Sequence, residues 1–339
     1  MARQQPLVDG AGRIQFGPKP NGVSEVNFRD FPLQTAMDRR LPRWRRYWAF
    51  NQFQFVALSH SDLLVGVAIA DLKLVSNAFV YLFQPSTGAF EEFSFLQPLA
   101  RHTGISTNPE AGVSTFSRGS NRVEMHSSQG QRQLIVTIAD GPTIQARFDD
   151  RHCQAPLGLC TRSGYQGWTY THKNAALPVA EGTIHWRGKN YSLSPQQTLA
   201  SIDWSGGYMR RETAWNWASL STRLEDGRRL GLNLAAGVNE TGYSENSAWL
   251  DGRRTDIDLV DFQFDRQDHT APWRVRSRDG AIDLDFVPAG KRQEKINAGL
   301  IASNFRQFFG RFSGTLTLQG EVLSLSDHWG LTEDHYARW

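Results

Sequence analysis

Apolar and polar positions alternate with a period of two along much of this chain, the pattern of half-buried strands. From Trp44 onward, Tyr47, Ala49, Asn51, Phe53 and Phe55 share one face, and Trp48, Phe50, Gln52, Gln54 and Val56 share the other. Large apolar groups on both faces predict a strand covered on both sides for part of its length. Apolar runs at 63–70 and 78–83 predict two more strands, and Pro85-Ser86-Thr87-Gly88 predicts a turn into a strand over 89–96. Further strands are expected at 124–127, 133–139 and 143–148, and an irregular loop at 152–167. Ser194-Pro195-Gln196-Gln197 has the cap, proline and glutamine of a helix start, which predicts a short helix to Ile202 stopped by Gly206-Gly207.

The second half is patterned more plainly. Asp226-Gly227, Asp251-Gly252 and Asp279-Gly280 each sit between strand-like runs, the strongest short-range hairpin signal. They predict pairing of 215–224 with 228–236, of 245–250 with 254–264, and of 273–278 with 281–287. Gln319-Gly320 then joins 304–318 to 321–326. A meander this long closes into a barrel, because closure removes exposed edges.

The chain also repeats itself. The stretch 182–194 aligns without gaps on 314–326, at a constant offset of 132 (314 − 182), with the Gly-Thr pairs, the turn glycines and the Ser-Leu-Ser endings coinciding. Asn51 with 64–70 echoes Asn216 with 229–235. Internal similarity points to two related units. The expected architecture is all-β: two antiparallel barrels packed together, with few short helices, divided into 1–200 and 201–339.

Composition agrees with a globular chain. The 339 residues are 40% hydrophobic and 12% aromatic, enough to build a sizeable core and to wall a cavity. The net charge of +3 is too small to imply nucleic acid as a partner. The cluster Arg39-Arg40, Arg43 and Arg45-Arg46 is interleaved with Trp44, Tyr47 and Trp48; a phosphate-facing patch is one reading, and a solvated approach to the first strand with its aromatics inward is the one expected. Cys153 and Cys160 match no zinc or redox spacing; a bridge between them fits a loop geometrically, and a pair of reduced thiols is the expectation. No signal-peptide run and no apolar stretch long enough to span a membrane is present, so a cytoplasmic protein is expected, with contact at a membrane surface left open. The absence of a Rossmann fingerprint, P-loop or nucleophile elbow gives no reason to expect a cofactor.

The residues Trp215-Asn216-Trp217-Ala218-Ser219, Gly231-Leu232-Asn233-Leu234, Glu245-Asn246, Trp249-Leu250-Asp251-Gly252 and Asp334-His335-Tyr336-Ala337-Arg338-Trp339 resemble the signature of a bacterial and fungal domain family of unknown function, over nearly the whole chain. That family is similar, more distantly, to two-domain lipocalin-like proteins, among them carotenoid hydratases of the hydroxyneurosporene synthase type and lipocalin-like pericyclases. The resemblance implies two calycin-like barrels. It implies no particular activity, because proteins of this fold both bind and transform apolar molecules.

Polar groups set among apolar strand residues are the candidates for a ligand site. Trp215, Asn216, Trp217, Asn233, Asn246, Asn51 and Phe53 are read as ligand-binding positions, with Arg118 as a receiver for an anionic group. Glu245, His335 and Glu333 are the acid–base candidates, since a carboxylate inside a barrel would hold its proton more tightly than in water. His102, Glu124 and His126 are weaker. The terminal Asp327-His328-Trp329 and Glu333-Asp334-His335 match no standard ligand spacing, so no metal is expected, and Trp339 would plug a barrel end. Three functions stay open at this point: binding of a hydrophobic small molecule such as a lipid, terpenoid or polyketide-like compound in a barrel cavity; an acid–base enzyme (hydratase, isomerase or cyclase) acting on such a molecule; and a scaffold with filled barrels that works through its surface.

Overall fold

A computed structural model of the chain describes residues 4–151, 153, 156–238, 242–299 and 301–338. Two curled antiparallel sheets, each a half-barrel, make up nearly all of it. The first runs in space from Ala89–Pro98 through Val75–Gln84, Leu63–Asp71, Asn51–His60, Thr198–Tyr208 and Gly167–Trp186. It continues through Thr143–Asp149, Gln131–Thr137, Asn121–Ser128 and Gly112–Arg118 to Thr103–Gly104. The second runs from Arg253–Asp256 through Ser247–Leu250, Arg229–Ala236, Glu212–Arg223, Glu321–Arg338, Ile301–Leu318, Ile282–Ala298 and Trp273–Ser277 to Val260–Gln263. Among the described residues the first sheet ends at Tyr208 and the second begins at Glu212. No helix among them is long and apolar enough to cross a membrane.

The sequence repeat is a structural repeat. Gly182 faces Leu193 and Trp186 faces Lys189; 132 residues on, Gly314 faces Leu325 and Leu318 faces Glu321. Both hairpins turn on two residues with positive φ, Arg187-Gly188 and Gln319-Gly320, as a two-residue primed turn demands.

Alternation along the strands sorts side chains between the two sheet cores and the layer that joins the sheets. Val56, Leu58, Trp168, Ile202 and Trp204 fill the concave side of the first sheet, and Ala218, Leu220, Phe308, Phe312 and Leu325 that of the second. The opposite faces meet each other. Phe55, Phe79, Tyr81 and Phe83 from the first sheet pack on Trp217, Phe309 and Leu331 from the second. Phe55 meets Trp217 edge-on at 6.0 Å, and Phe83 stacks on Phe309 at 5.0 Å between ring centroids.

Four local expectations change. Residues Arg43–Trp48 form a helix, and the strand begins only at Asn51. Buried Arg46 holds that turn by donating to the carbonyls of Arg29 and Phe31, which leaves Trp44, Tyr47 and Trp48 exposed instead of inward. The predicted loop contains the strand Leu157–Ser163. The predicted helix is one turn, closed by Thr198 N–H on Ser194 O, before the strand Thr198–Tyr208. Long-range pairing on both sides, with Asn51–His60 and with Gly167–Trp186, outweighs the local cap signal there. Finally, 254–264 is not one strand: Arg253–Asp256 and Val260–Gln263 lie on opposite edges of the second sheet. Neither cysteine is in a disulfide; burial pushes the Cys160 thiol up to about 12. Trp339 lies outside the described residues.

Candidate functional site

A cavity of about 270 Å³ opens between the two sheets. Its wall is made by the faces turned away from the two half-barrel cores, so the space sits in the seam and not inside either half-barrel, where a barrel site would have been. Phe53, Phe55, Phe79, Trp215, Trp217 and Phe305 give it an aromatic lining, with aliphatic side chains such as Leu72, Leu96, Ile296 and Ile301.

Two polar clusters interrupt this lining. In the first, Lys173 Nζ lies 2.7 Å from Glu245 Oε1 and 2.9 Å from Asp203 Oδ2. Lys173 and Asp203 face each other across neighbouring strands, which is why the pair forms. Burial pushes the Lys173 ammonium down, but Asp203 and Glu245 more than offset it and hold it above its ordinary value. Burial pushes the Asp203 carboxyl up, with Glu245 adding to the shift and Lys173 opposing it. Two carboxyl groups and one ammonium thus share one buried site.

In the second cluster, Glu333 accepts from Trp215 Nε1 at 2.8 Å and from Gln307 Nε2 at 3.1 Å. His335 Nε2 lies 3.0 Å from Ser303 Oγ, and its Nδ1 is 3.7 Å from Glu333 Oε1. That Nδ1 is buried and has no hydrogen-bond partner among the described residues. The His335 ring packs against Trp215 at 4.2 Å and edge-on against Phe305 at 4.9 Å. Nearby, Arg292 lies over the rings of Phe79 (3.9 Å) and Phe305 (4.6 Å) and donates to Glu92 at 2.6 Å.

The residues singled out from sequence divide between wall and support. Asn51, Phe53, Trp215, Trp217, Glu245, Glu333 and His335 line the cavity. Asn233 does not: its carbonyl accepts from Trp217 Nε1 and its amide donates to Glu245 O, both at 2.8 Å. Asn246 accepts from Ala235 N–H at 2.7 Å and donates to Asp258 O at 3.1 Å. These two buried amides hold the loop that carries Glu245. Asn216 faces the other side of its strand and reaches Asp334 at 3.3 Å, because alternation sends its neighbours Trp215 and Trp217 to the cavity. Arg118 is exposed and donates to the Leu96 carbonyl at 3.1 Å, which leaves it a surface clasp at a strand end. Glu124 pairs with Arg122 and, at 3.2 Å, with His126 away from the cavity. No grouping of three or more metal-ligating side chains occurs among the described residues.

Lys173, Asp203 and Arg292 were not singled out beforehand. Asp203 was legible only on the strand reading, which puts Ser201, Asp203 and Ser205 on one face and Ile202 and Trp204 on the other. Lys173 follows Thr169 and Thr171 on the same face by the same rule, and Arg292 sits in a charged run that reads as solvated.

The family model described as "Domain of unknown function (DUF2804)" matches residues 1–339. The chain belongs to this family. No curated protein matches this DUF2804 chain. Among solved structures it is similar to CghA (TM-score 0.57, 11% identity, covering 98% of this chain and 96% of that one). A structure of CghA with Sch210972 gives a TM-score of 0.56 at 11% identity, with 94% of each chain covered. Kievitone hydratase from Nectria haematococca gives 0.51 at 11% identity, covering 96% of the DUF2804 chain and 98% of its own. At such identity these likenesses establish the lipocalin-like, two-unit fold.

Proposed function

We propose that the protein binds a hydrophobic small molecule, of lipid, terpenoid or polyketide-like character, in the cavity between its two sheets. One observation carries the reading: a space of about 270 Å³ whose exposed wall is mostly apolar and rich in aromatic rings, with the polar side chains of the lining gathered largely into clusters. Such a space is the usual form of a small-molecule site. Titration with cis-parinaric acid, a polyene whose fluorescence rises in apolar surroundings, tests it. Saturable binding of one probe per chain supports the reading, and no binding contradicts it.

A second reading is an acid–base enzyme acting on such a molecule, and the ionisable groups on the wall favour it. Asp203 and Glu245 set two carboxyl groups around Lys173 on the wall, and His335 Nδ1 is an unpartnered ring nitrogen in an apolar setting. A protein of similar fold is a kievitone hydratase. With a substrate in hand, Glu245→Gln and His335→Ala each lower turnover by about a hundredfold or more if these groups move protons. Unchanged turnover in both leaves binding alone.

A further inference from the structure

The basic, aromatic stretch that the sequence placed against the first strand stands away from it. On helix Arg43–Trp48, Trp44, Tyr47 and Trp48 are 61%, 37% and 40% exposed. Arg39, Arg40, Arg43 and Arg45 are exposed as well, and none pairs with a carboxylate among the described residues. Arg45 lies over the Trp44 ring at 5.2 Å, so cation and aromatic present one surface.

This surface runs into the rim of the cavity. The Tyr47 ring lies 5.3 Å from Lys73 Nζ, and Lys73 is pinned on Asp71 at the head of a tight turn. That turn places Leu74 N–H on Leu72 O at 2.7 Å, and Leu99 N–H donates to Leu74 O at 2.9 Å. Leu74, Leu96 and Leu99 are all exposed, while Leu72, Val75 and Leu96 line the cavity. Tryptophan and tyrosine at the headgroup level, leucines beyond them and arginines around them are what an anionic bilayer surface takes up.

We propose that helix Arg43–Trp48, with Leu74, Leu96 and Leu99 beside it, docks the protein on an anionic lipid surface, with the mouth of the inter-sheet cavity turned towards it. An apolar molecule would then pass between bilayer and cavity without crossing water, a step that rests on the reading of the cavity as an apolar-ligand site. The docking itself does not need that reading.

Cosedimentation with ligand-free vesicles tests it. The protein is expected to pellet with phosphatidylcholine–phosphatidylserine vesicles and not with phosphatidylcholine alone, and added salt should release it. Arg43→Glu with Arg45→Glu should lower partitioning at least about thirtyfold, since each basic group near such a surface is worth about fivefold. Trp44→Ala with Trp48→Ala should lower it independently, and Val322→Ala, at a remote exposed site, should leave it unchanged. All of these positions are exposed, so circular dichroism should match the wild type. Absence from the anionic pellet, equal pelleting of wild type and both double variants, or release from the vesicles by a short RNA that binds the same arginines would overturn the proposal. Cis-parinaric acid titration in the absence of vesicles reports on the cavity separately.

Discussion

Asp203 and His335 occupy equivalent positions in the two sheets, 132 residues apart (335 − 203). Asp203 faces Lys173 across its strand pair, and His335 faces Phe305 in the same register. One duplicated strand pair therefore supplies both polar clusters, an ion pair in the first copy and an imidazole against a ring in the second. Both strand pairs turn these positions to the seam between the sheets, so matching registers line the cavity from its two sides.

The ion cluster can be broken or dissolved, with different outcomes. Lys173→Met leaves two buried carboxylates without their counter-charge and should cost about 3–5 kcal/mol. Converting the whole cluster, with Lys173→Met, Asp203→Asn and Glu245→Gln together, should recover a good part of that loss. Urea denaturation midpoints of the two variants decide it; equal loss in both would contradict the pairing.

His172 sets an acid limit on stability. It is buried next to Arg132 (3.4 Å), with the Glu110 carboxylate 3.7 Å from Nδ1. Burial, with Arg132 adding to it, pulls its pKa from the ordinary 6.5 to about 3. Well above pH 6.5 the ring is uncharged in both states. Below pH 6.5 the unfolded chain takes up a proton that the folded chain refuses until about pH 3. Stability should fall through that window by about 1.4 kcal/mol per pH unit from this group alone. Glu110, whose pKa burial raises, contributes with the opposite sign within that window, above its ordinary 4.5. Chemical denaturation between pH 7 and 4 should show a flatter profile in His172→Gln than in the wild type.

Glycine at the start of each repeated hairpin is a packing requirement. A Cβ on Gly314 would sit 2.2 Å from Asp283 O, at a φ of +132°, and one on Gly182 would sit 2.2 Å from Gln145 O. Gly314→Ala should cost about 2–3 kcal/mol. Gly104→Ala, in open space at an ordinary φ, should be near neutral. Thermal unfolding of the two variants gives the comparison.

Most of the fold was legible because its signals are local. The Asp-Gly and Gln319-Gly320 turns and the two-residue alternation mark the hairpins of the second sheet directly. What was hidden depends on distant partners. The strand Thr198–Tyr208 is made by pairing on both sides, and the Ser194-Pro195 cap points elsewhere. The site divides in the same way. Alternation places Trp215 and Trp217 on one face without further information. That Asn233 and Asn246 hold the Glu245 loop, and that Lys173 comes to meet Glu245 from the other sheet, are contacts between segments far apart in the chain.

Asn233 offers a check on that support. Asn233→Ala strips the partner from the buried Trp217 N–H and from the carbonyl of Glu245, and should cost about 1–3 kcal/mol. Probe affinity should fall with it, because both wall residues lose their anchor. A stable variant with unchanged cis-parinaric acid affinity would show that the amide does not position the wall.

The seam between the sheets as the binding site is tested most directly by filling it. Ala70 lines the cavity from the strand Leu63–Asp71 and is not fully buried, so Ala70→Trp places an indole in the space at little cost to the cores. In parallel titrations with cis-parinaric acid, the wild type should bind one probe per chain, and Ala70→Trp should bind at least about tenfold more weakly while unfolding at a similar urea concentration. Equal affinity in the two proteins would place the probe elsewhere and contradict the account.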